Sequence, residues 1–273
     1  MSAEELRKEI YTNEDGESCL RLSRKGLSKV PQAVSDLTEL EELDLSDNYL
    51  KELPTSINKL KNLKWLRLDW NQLRELPHSI CELSNLTRLS VSNNQLSVLP
   101  SNIKHLSKLW VLYLSDNQLT TLPDEIGELK ELVWLFVSNN KLTVLSSHIK
   151  HLSKLRGLDL SDNRLTTLPD EIGELKELRA LFVINNKLTV LSSHIKHLSE
   201  LWTLNLCNNQ LTRLPDEIGE LKKLESLCVA GNPLTLEELR KVVKLQKKVM
   251  LFKDVRGKDV KCSLFVFYFM SCE

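Results

Sequence analysis

The chain repeats one pattern of apolar and polar positions, and the period of the repeat is 23 residues. Each copy reads L-x-x-L-x-[LV]-x-x-N-x-L, as in LEELDLSDNYL at 40–50. There Leu43 and Leu45 alternate with Glu42, Asp44 and Ser46, which predicts a short β-strand with one apolar face. Nine complete copies are marked by nine evenly spaced asparagines: Asn48, Asn71, Asn94, Asn117, Asn140, Asn163, Asn186, Asn209 and Asn232.

The second half of each copy predicts a return to the next strand through tight turns or a brief helix. In LPDEIGELKE at 122–131, Ile126 and Leu129 are the inward apolar positions, and the proline disfavours a long helix. Stacked coils of this kind place their strands about 4.8 Å apart in one parallel sheet. Each asparagine then lies in the turn after its strand and can bond the backbone of neighbouring coils. Left unpaired there, it would cost about 1–3 kcal/mol, so we interpret the asparagine ladder as structural.

Caps are expected at both ends, because a bare solenoid exposes apolar edges. Ser2 and Glu5 stand in capping-box register, and Thr235 and Glu238 repeat that signature after the last copy. The stretch CLRLSRKGLSKVP at 19–31 keeps the leucines but has Lys25 at the asparagine position, as in an atypical terminal coil. The sequence thus predicts an N-terminal cap helix at 1–16, a solenoid of about ten coils at 17–234, and a C-terminal capping helix with a basic, aromatic tail at 235–273.

The motif LPxxIxxLxxLxxLxLxxNxL at this spacing resembles intracellular leucine-rich-repeat proteins over roughly residues 17–239. This repeat pattern is similar to that of the Ras-suppressor and Ras-scaffold group and of the plant Ras-group proteins. The resemblance implies an α/β fold: a leucine-rich-repeat solenoid, or horseshoe, with a concave parallel β-sheet, a convex side of tight turns or short helices, and helical caps. It also implies a protein partner on the concave face, from a small-GTPase or a kinase or phosphatase assembly, and no catalytic motif.

Two successive 46-residue stretches, 109–154 and 155–200, are identical at 38 positions. Six of the eight differences fall at the exposed positions of the predicted strands, whereas LPDEIGELKEL is unchanged. The copies therefore share a scaffold and differ on the concave face. All five tryptophans of the chain also fall at concave positions.

Aromatic side chains in one concave strip predict a protein-binding surface, since exposed aromatic patches are typical of binding hot spots. The alternative is that these side chains pack against one another across the strands. The predicted partner-binding residues are Trp65, Arg67, Trp70, Arg88, Trp110, Tyr113, Trp134, Phe136, Asp159, Phe182 and Trp202.

The composition limits the classes of partner and the cellular compartment that we expect. The 37 Lys and Arg balance 37 Asp and Glu, so no net charge favours nucleic acid. The start MSAEELRKEI has no apolar segment of the secretory type, and we expect no signal. Six scattered cysteines without a C-x-x-C pair favour a reducing, cytoplasmic compartment. Cys207 and Cys228 fall on neighbouring concave strands, close enough to approach each other, and we expect them to be thiols.

Candidate chemistry is sparse. The HIKH pairs at 148–151 and 194–197 have no third ligand nearby in the sequence, so we expect solvated histidines and no metal site. No phosphate loop, nucleophile motif or H-E-x-x-H is present, so we expect no catalytic residue, no cofactor and no enzyme. Residues 240–261 carry nine Lys and Arg against two Asp and precede SLFVFYFM. This tail is interpreted either as a cover for the last coil or as a peripheral membrane contact.

Three classes of function stay open. The leading one is a non-enzymatic protein-recognition module in the cytoplasm, acting as a scaffold or adaptor in signal transduction. The second is immune-type recognition of foreign proteins, in which duplicated coils diversify. The third is structural self-association, or membrane contact through the tail.

Overall fold

A computed structural model describes residues 2–238 and 240. Within them lies one eleven-stranded sheet whose strands follow sequence order. β1 pairs antiparallel with β2, and every later pair is parallel and in register. The strands are β1 Tyr11–Thr12, β2 Ser18–Arg21, β3 Glu42–Asp44, β4 Trp65–Arg67, β5 Arg88–Ser90, β6 Val111–Tyr113, β7 Trp134–Phe136, β8 Gly157–Asp159, β9 Ala180–Phe182, β10 Thr203–Asn205 and β11 Ser226–Cys228.

The convex side consists of short 3₁₀ helices, as the proline and the short apolar spacing predicted. Seven begin after a proline, whose ring fixes φ near the value that the first turn requires. Ser146 and Ser192 take that place in the other two and accept a hydrogen bond from the N–H two residues on. The 3₁₀ helices are Gln32–Asp36, Thr55–Lys59, His78–Glu82, Ser101–His105, Asp124–Glu128, Ser147–His151, Asp170–Glu174, Ser193–His197 and Asp216–Glu220.

The leucines of the strands and the apolar residues of the 3₁₀ helices form one continuous core between the two sides. Leu43 and Leu45 are fully buried from the sheet, and Ile126 and Leu129 meet that core from the convex side. The predicted leucine-rich-repeat solenoid, with a concave parallel sheet and a convex side of short helical turns, is therefore confirmed.

The asparagine side chains tie each coil to the coil before it. Asn140 donates from Nδ2 to the carbonyls of Leu114 (3.0 Å) and Val137 (3.1 Å), and its Oδ1 accepts from the N–H of Leu119 at 2.9 Å. The eight other asparagines of the ladder also reach an amide 21 residues back and a carbonyl 26 residues back. Since all but Asn232 are buried, these bonds satisfy backbone groups that water cannot reach.

The N-terminal end is closed by a helix and a hairpin. Helix α1, Ala3–Arg7, begins with the predicted capping box: the Glu5 N–H donates to Ser2 Oγ and the Ser2 N–H donates to Glu5 Oε2. Its Leu6 is fully buried in the core. The helix is shorter than the predicted segment 1–16, because the β1–β2 hairpin supplies the rest of the cover.

At the C-terminal end, one hydrogen bond of the second capping signature is present: the Glu238 N–H donates to Thr235 Oγ1 at 3.3 Å, while the Glu238 carboxylate accepts from the Leu214 N–H at 3.0 Å. Residues 236–238 and 240 are helical. The remainder of the predicted capping helix and the tail, 241–273, lie outside the described residues, so their role stays a prediction, as do the three segment boundaries. None of the helices in the described part of the chain is long and apolar enough to span a membrane.

Candidate functional site

The concave face is built in columns, because neighbouring parallel strands are in register. Each strand directs its central leucine to the core, and the residues on either side of that leucine face the opposite way. One column therefore runs through Val111, Trp134 and Gly157. A 23-residue repeat with no offset between coils thus brings side chains that are distant in sequence into one surface.

A small apolar cluster lies on this face, separate from the leucine core. We define the central aromatic cluster as Val111, Tyr113, Val133, Trp134 and Phe136. The Phe136 ring stacks on Tyr113 at 5.0 Å between ring centroids and on Trp134 at 6.1 Å. Stacked rings of this kind contribute about 0.5–1.5 kcal/mol beyond the burial of their area. The three rings therefore form one preorganised unit across β6 and β7.

The Trp134 indole lies directly over Gly157 on the next strand. A Cβ built on Gly157 would stand 2.1 Å from Trp134 Cε3, far inside contact distance. Ala180 follows in the same column on β9 and is also small. The duplication placed Gly157 and Ala180 where the first copy has Val111 and Trp134, and the small residues leave room for the indole.

The aromatic residues differ sharply in exposure. Trp134, Phe136 and Phe182 are only 5–6% exposed, so the prediction that they are exposed is wrong. For Trp134 and Phe136, the stacking supports the alternative of cross-strand packing. Trp110 and Trp202, by contrast, are 40% and 36% exposed, and they lie immediately before β6 and β10. Tyr113 is half-buried.

Asp159 places a carboxyl group between two aromatic rings. It is half-buried on β8, in register with Phe136 on one side and Phe182 on the other. The Ser161 N–H donates to Asp159 Oδ1 at 3.0 Å. Burial raises the pKa of Asp159 above its ordinary value, while hydrogen bonds from Ser161 and Ser138 act in the opposite direction.

The predicted arginines sit around Trp65. The guanidinium carbon of Arg88 lies 4.2 Å from the centre of the half-buried Trp65 ring system, and that of Arg67 lies 5.1 Å from it. Arg67 also lies 3.4 Å from the carboxylate of the buried Asp44. Cation–π and ion-pair contacts thus hold these charges in place rather than leaving them as isolated surface charges.

Lys64 forms ion pairs with two carboxylates of the preceding coils. Lys64 Nζ lies 2.7 Å from Glu41 and 3.3 Å from Glu17. The hydrogen bond between the two side chains raises the pKa of Lys64 and lowers the pKa of Glu41. The negative charges of the first repeat are therefore largely neutralised by the basic residues that follow it.

Trp70 is the most exposed tryptophan, at 63%, and its backbone is left-handed with φ 56°. The described residues have eight other non-glycine residues with positive φ, and seven of these are Asp or Asn, which tolerate that conformation: Asp47, Asn93, Asp116, Asn139, Asp162, Asn185 and Asn208. A bulky side chain there costs about 1–2 kcal/mol. Strain of this kind clusters at functional positions, so it marks Trp70 as a candidate contact at the rim of the concave face.

Asp69 is a concave residue that sequence reasoning missed. Its Oδ1 accepts hydrogen bonds from the Ser90 hydroxyl and, at 3.0 Å, from the Ser92 N–H. Burial raises its pKa. Six other coils have serine at this position, as at Ser46 and Ser92, so the exchange of serine for a carboxylate beside Trp70 was the available signal.

Cys207 and Cys228 form a disulfide across β10 and β11, so the prediction that they are thiols is wrong. Cys228 is in register with Asn205, Cys207 follows two residues later, and the two cysteine Cα atoms lie 5.7 Å apart, within the range that a disulfide spans. The bond removes one support for the predicted reducing compartment. Cys19 and Cys81 are buried thiols, and burial raises their pKa values to about 11 and about 12.

The HIKH pairs lie on the convex side, away from the concave columns. The His148 and His151 rings are 5.8 Å apart, and His148 Nδ1 lies 3.4 Å from an Asp124 carboxylate oxygen. His194 and its neighbours repeat this arrangement one duplication later. Across the described residues, no group of three or more His, Cys, Asp or Glu side chains is arranged to hold a metal ion.

Comparison with known structures finds similar coils in plant receptors and in a Listeria monocytogenes protein. The functional domain of InlJ from Listeria monocytogenes is 25% identical, with a TM-score of 0.73 over 85% of this chain and 48% of that one. The plant peptide hormone receptor RGFR1 in complex with RGF2 is 27% identical, with a TM-score of 0.65 over 90% of this chain and 48% of the receptor.

The ectodomain of the Arabidopsis thaliana receptor kinase GASSHO1/SCHENGEN3, in complex with CASPARIAN STRIP INTEGRITY FACTOR 2, is 27% identical, with a TM-score of 0.66 over 82% of this chain and 31% of that one. The chain thus spans less than half the length of each of these three structures.

Family models agree with the fold. No curated protein matches the chain. A model described as leucine-rich repeat region matches residues 18–95 and 141–265, well over half of the chain, and a second, leucine rich repeat, matches 84–142. With the period, the asparagine ladder and the concave parallel sheet, these matches show that the chain belongs to the leucine-rich repeat family.

Proposed function

We propose that the protein is a non-enzymatic recognition module that binds a protein partner along its concave face. The observation that carries this proposal is the contrast between the duplicated coils, which keep the scaffold and change the concave positions. The complexes of RGFR1 with RGF2 and of GASSHO1/SCHENGEN3 with CASPARIAN STRIP INTEGRITY FACTOR 2 support a protein or peptide as the class of ligand.

Exposure divides the proposed site into contacts and support. Trp70, Trp110 and Trp202 present large apolar surfaces to solvent and are the proposed anchors. Trp134 and Phe136 are buried beneath this surface and hold its shape. Asp159 and the arginines around Trp65 add charges of both signs, which favours partner choice and orientation over raw affinity.

The proposed setting is a signalling scaffold, with a partner from a small-GTPase or a kinase or phosphatase assembly. Its support is the resemblance of the repeats to the Ras-suppressor and plant Ras-group type. Recognition of foreign proteins is the second candidate, and the divergence of the concave positions between the two copies favours it. Related copies that vary at these same positions would select the second candidate over the first.

Cytoplasmic placement is part of the first proposal, and the disulfide provides its test. Cytosolic thiols are kept reduced, whereas disulfides persist in oxidising compartments. Protein recovered from cells under rapid alkylation is measured by mass spectrometry. Alkylation of both Cys207 and Cys228 supports the cytoplasm, and an intact bond between them contradicts it.

The binding test compares Trp110→Ala/Trp202→Ala with a matched variant outside the concave strands, Val98→Ala/Val144→Ala, in the loops that precede two of the 3₁₀ helices. Val98 and Val144 are each 55% exposed, so both variants remove exposed apolar surface without touching the core. Pull-down followed by mass spectrometry identifies the partner, and titration with the purified partner gives the Kd. Loss of about 2 kcal/mol per anchor weakens binding about 30-fold for each tryptophan, so the concave variant alone should show a Kd roughly 1,000-fold weaker. Equal binding by both variants would refute the proposal.

A further inference from the structure

Three departures from the repeat meet in the loops that follow β3 and β4. Tyr49 stands where the next seven coils have Gln, Lys or Arg, and Asp69 stands where six other coils have serine. Trp70 stands where the coil before it and the six coils after it have Asp or Asn. The Asn48 N–H donates to the Trp70 carbonyl at 3.1 Å, so the two loops are in direct contact. We define the rim site as Tyr49, Asp69 and Trp70.

Both aromatic side chains of the rim site lie in solvent. Tyr49 is 61% exposed and Trp70 is 63% exposed, more than any other aromatic residue among those described. The polar residues of the other coils show that the fold needs no aromatic side chain at either position. Trp70 also has a left-handed backbone, which Asp and Asn adopt at a lower cost. Exposed apolar surface that weakens the fold is typical of a binding contact rather than of packing.

Asp69 precedes Trp70 in the chain and supplies a negative charge next to it. Its Oδ1 accepts from the Ser90 hydroxyl and the Ser92 N–H, whereas no other residue among those described donates to its Oδ2. Arg67 acts on Asp69 only through space, because it forms its ion pair with Asp44 at 3.4 Å. Since Asp69 is half-buried, a cation at Oδ2 would be attracted more strongly than at a fully exposed carboxylate.

The contacts around Trp65 show which side chain fits such a site. The guanidinium carbons of Arg67 and Arg88 lie 5.1 Å and 4.2 Å from the centre of the Trp65 ring system. In the described part of the chain, cation–π contacts involve the rings of Tyr11 and Trp65 and neither ring of the rim site. A guanidinium is planar, so it can stack on an indole and donate to a carboxylate at the same time.

We propose that the rim site binds an arginine side chain of the partner protein, with the guanidinium on the Trp70 ring and its N–H groups donating to Asp69 Oδ2. Tyr49 adds a second aromatic face from the neighbouring coil. The inference deepens the proposed function, because it names the chemistry that one of the three anchors recognises. The partner segment at this rim is then basic rather than acidic or purely apolar.

The test uses the full chain and short peptides, so no partner has to be identified first. The probes are acetyl-Gly-Arg-Gly-amide and the same peptide with citrulline, which keeps the shape of arginine without its charge. Heteronuclear NMR follows the indole N–H signals of the five tryptophans, and the signal lost in Trp70→Asn identifies Trp70. The Trp70 signal should shift in a saturable way with the arginine peptide, with a Kd at least about threefold smaller than for the citrulline peptide.

The variants replace single residues by those that other coils have, so they preserve the fold. Asp69→Ser should weaken the arginine peptide at least about threefold and leave the citrulline peptide unchanged. The matched control, Asp162→Asn, removes an exposed carboxylate at the rim position of a distant coil and should change neither Kd. Trp70→Asn relieves the left-handed backbone of its bulky side chain, so its melting temperature should rise by a few degrees.

Two results with the peptides overturn the inference: a Trp70 signal that the arginine peptide does not shift, and one that the citrulline peptide shifts equally. A melting temperature that falls in Trp70→Asn also overturns it, because the ring would then be packed. The pull-down with the variant of Trp110 and Trp202 still decides the proposed function, since neither residue belongs to the rim site. With a purified partner, Trp70→Asn should weaken binding at least about tenfold, and unchanged binding overturns the inference.

Discussion

The contact between Trp134 and Gly157 makes a quantitative prediction about two neighbouring coils. Gly157→Val restores the residue that the first copy has at Val111. The new Cβ would stand 2.1 Å and 2.2 Å from two carbons of the Trp134 ring, so the indole must leave its place. Overpacking of this kind costs about 1–3 kcal/mol. We expect the free energy of unfolding to fall by that amount in the single variant.

Trp134→Ala removes the ring instead of displacing it. Large buried aromatic residues cost about 3–5 kcal/mol when truncated to alanine, and we expect the lower end here because the cluster lies on a face of the sheet rather than within the core. In the double variant the valine occupies space that the indole has left. The combined loss should therefore be smaller than the sum of the single losses by about 1–3 kcal/mol.

Urea unfolding followed by far-ultraviolet circular dichroism measures all four proteins without relying on tryptophan fluorescence. The matched control pairs Gly157→Val with Trp110→Ala, because Trp110 precedes a strand two places from β8. That pair should be additive within about 0.5 kcal/mol. If Trp134 and Gly157 are equally additive, the indole does not lie over the glycine and the reasoning fails.

Three further variants test the ladder, the disulfide and the buried carboxyl group. Asn140→Ala leaves the Leu119 N–H and several carbonyls unpaired, so the free energy of unfolding should fall by about 3 kcal/mol. Asn232 lies in the less buried last coil, and Asn232→Ala should cost only about 1 kcal/mol. Equal losses of melting temperature in the two variants would contradict this. Cys207→Ser removes a disulfide that links residues 21 apart, so the free energy of unfolding should fall by about 3 kcal/mol. Dithiothreitol should lower the melting temperature of the wild type and leave that of the variant unchanged. The pKa of Asp159 is raised, so its ionised form destabilises the fold, and this penalty is complete at neutral pH. Asp159→Asn should therefore raise the free energy of unfolding by on the order of 1 kcal/mol at pH 7. A gain that persists undiminished at pH 3 would refute this.

The repeat predicted the fold because its period also fixes the register. Residues 23 apart share a column, so the pairing of Trp134 with Gly157 followed from the same arithmetic as the asparagine ladder. The exposed fraction of each side chain did not follow from the repeat. A two-residue period predicts which face of the sheet a residue lies on, but not how far the neighbouring side chains cover it. The Cys207–Cys228 bond escaped prediction because its 21-residue spacing differs from the period, and only strand geometry shows that the offset closes the gap.

The asparagine ladder has a direction, and this gives the two ends of the protein different requirements. Every ladder side chain reaches toward the preceding coil: Asn48, for example, accepts from the amides of Lys25 and Leu27 and donates to the Leu22 carbonyl. The first coil can therefore have a lysine at the asparagine position, because its neighbour serves it. Removing a coil from the C-terminal end would orphan a backbone amide inside the new last coil, whereas removing one from the N-terminal end would free a side chain that can turn to water. Coils should therefore be gained and lost more readily at the N-terminal end.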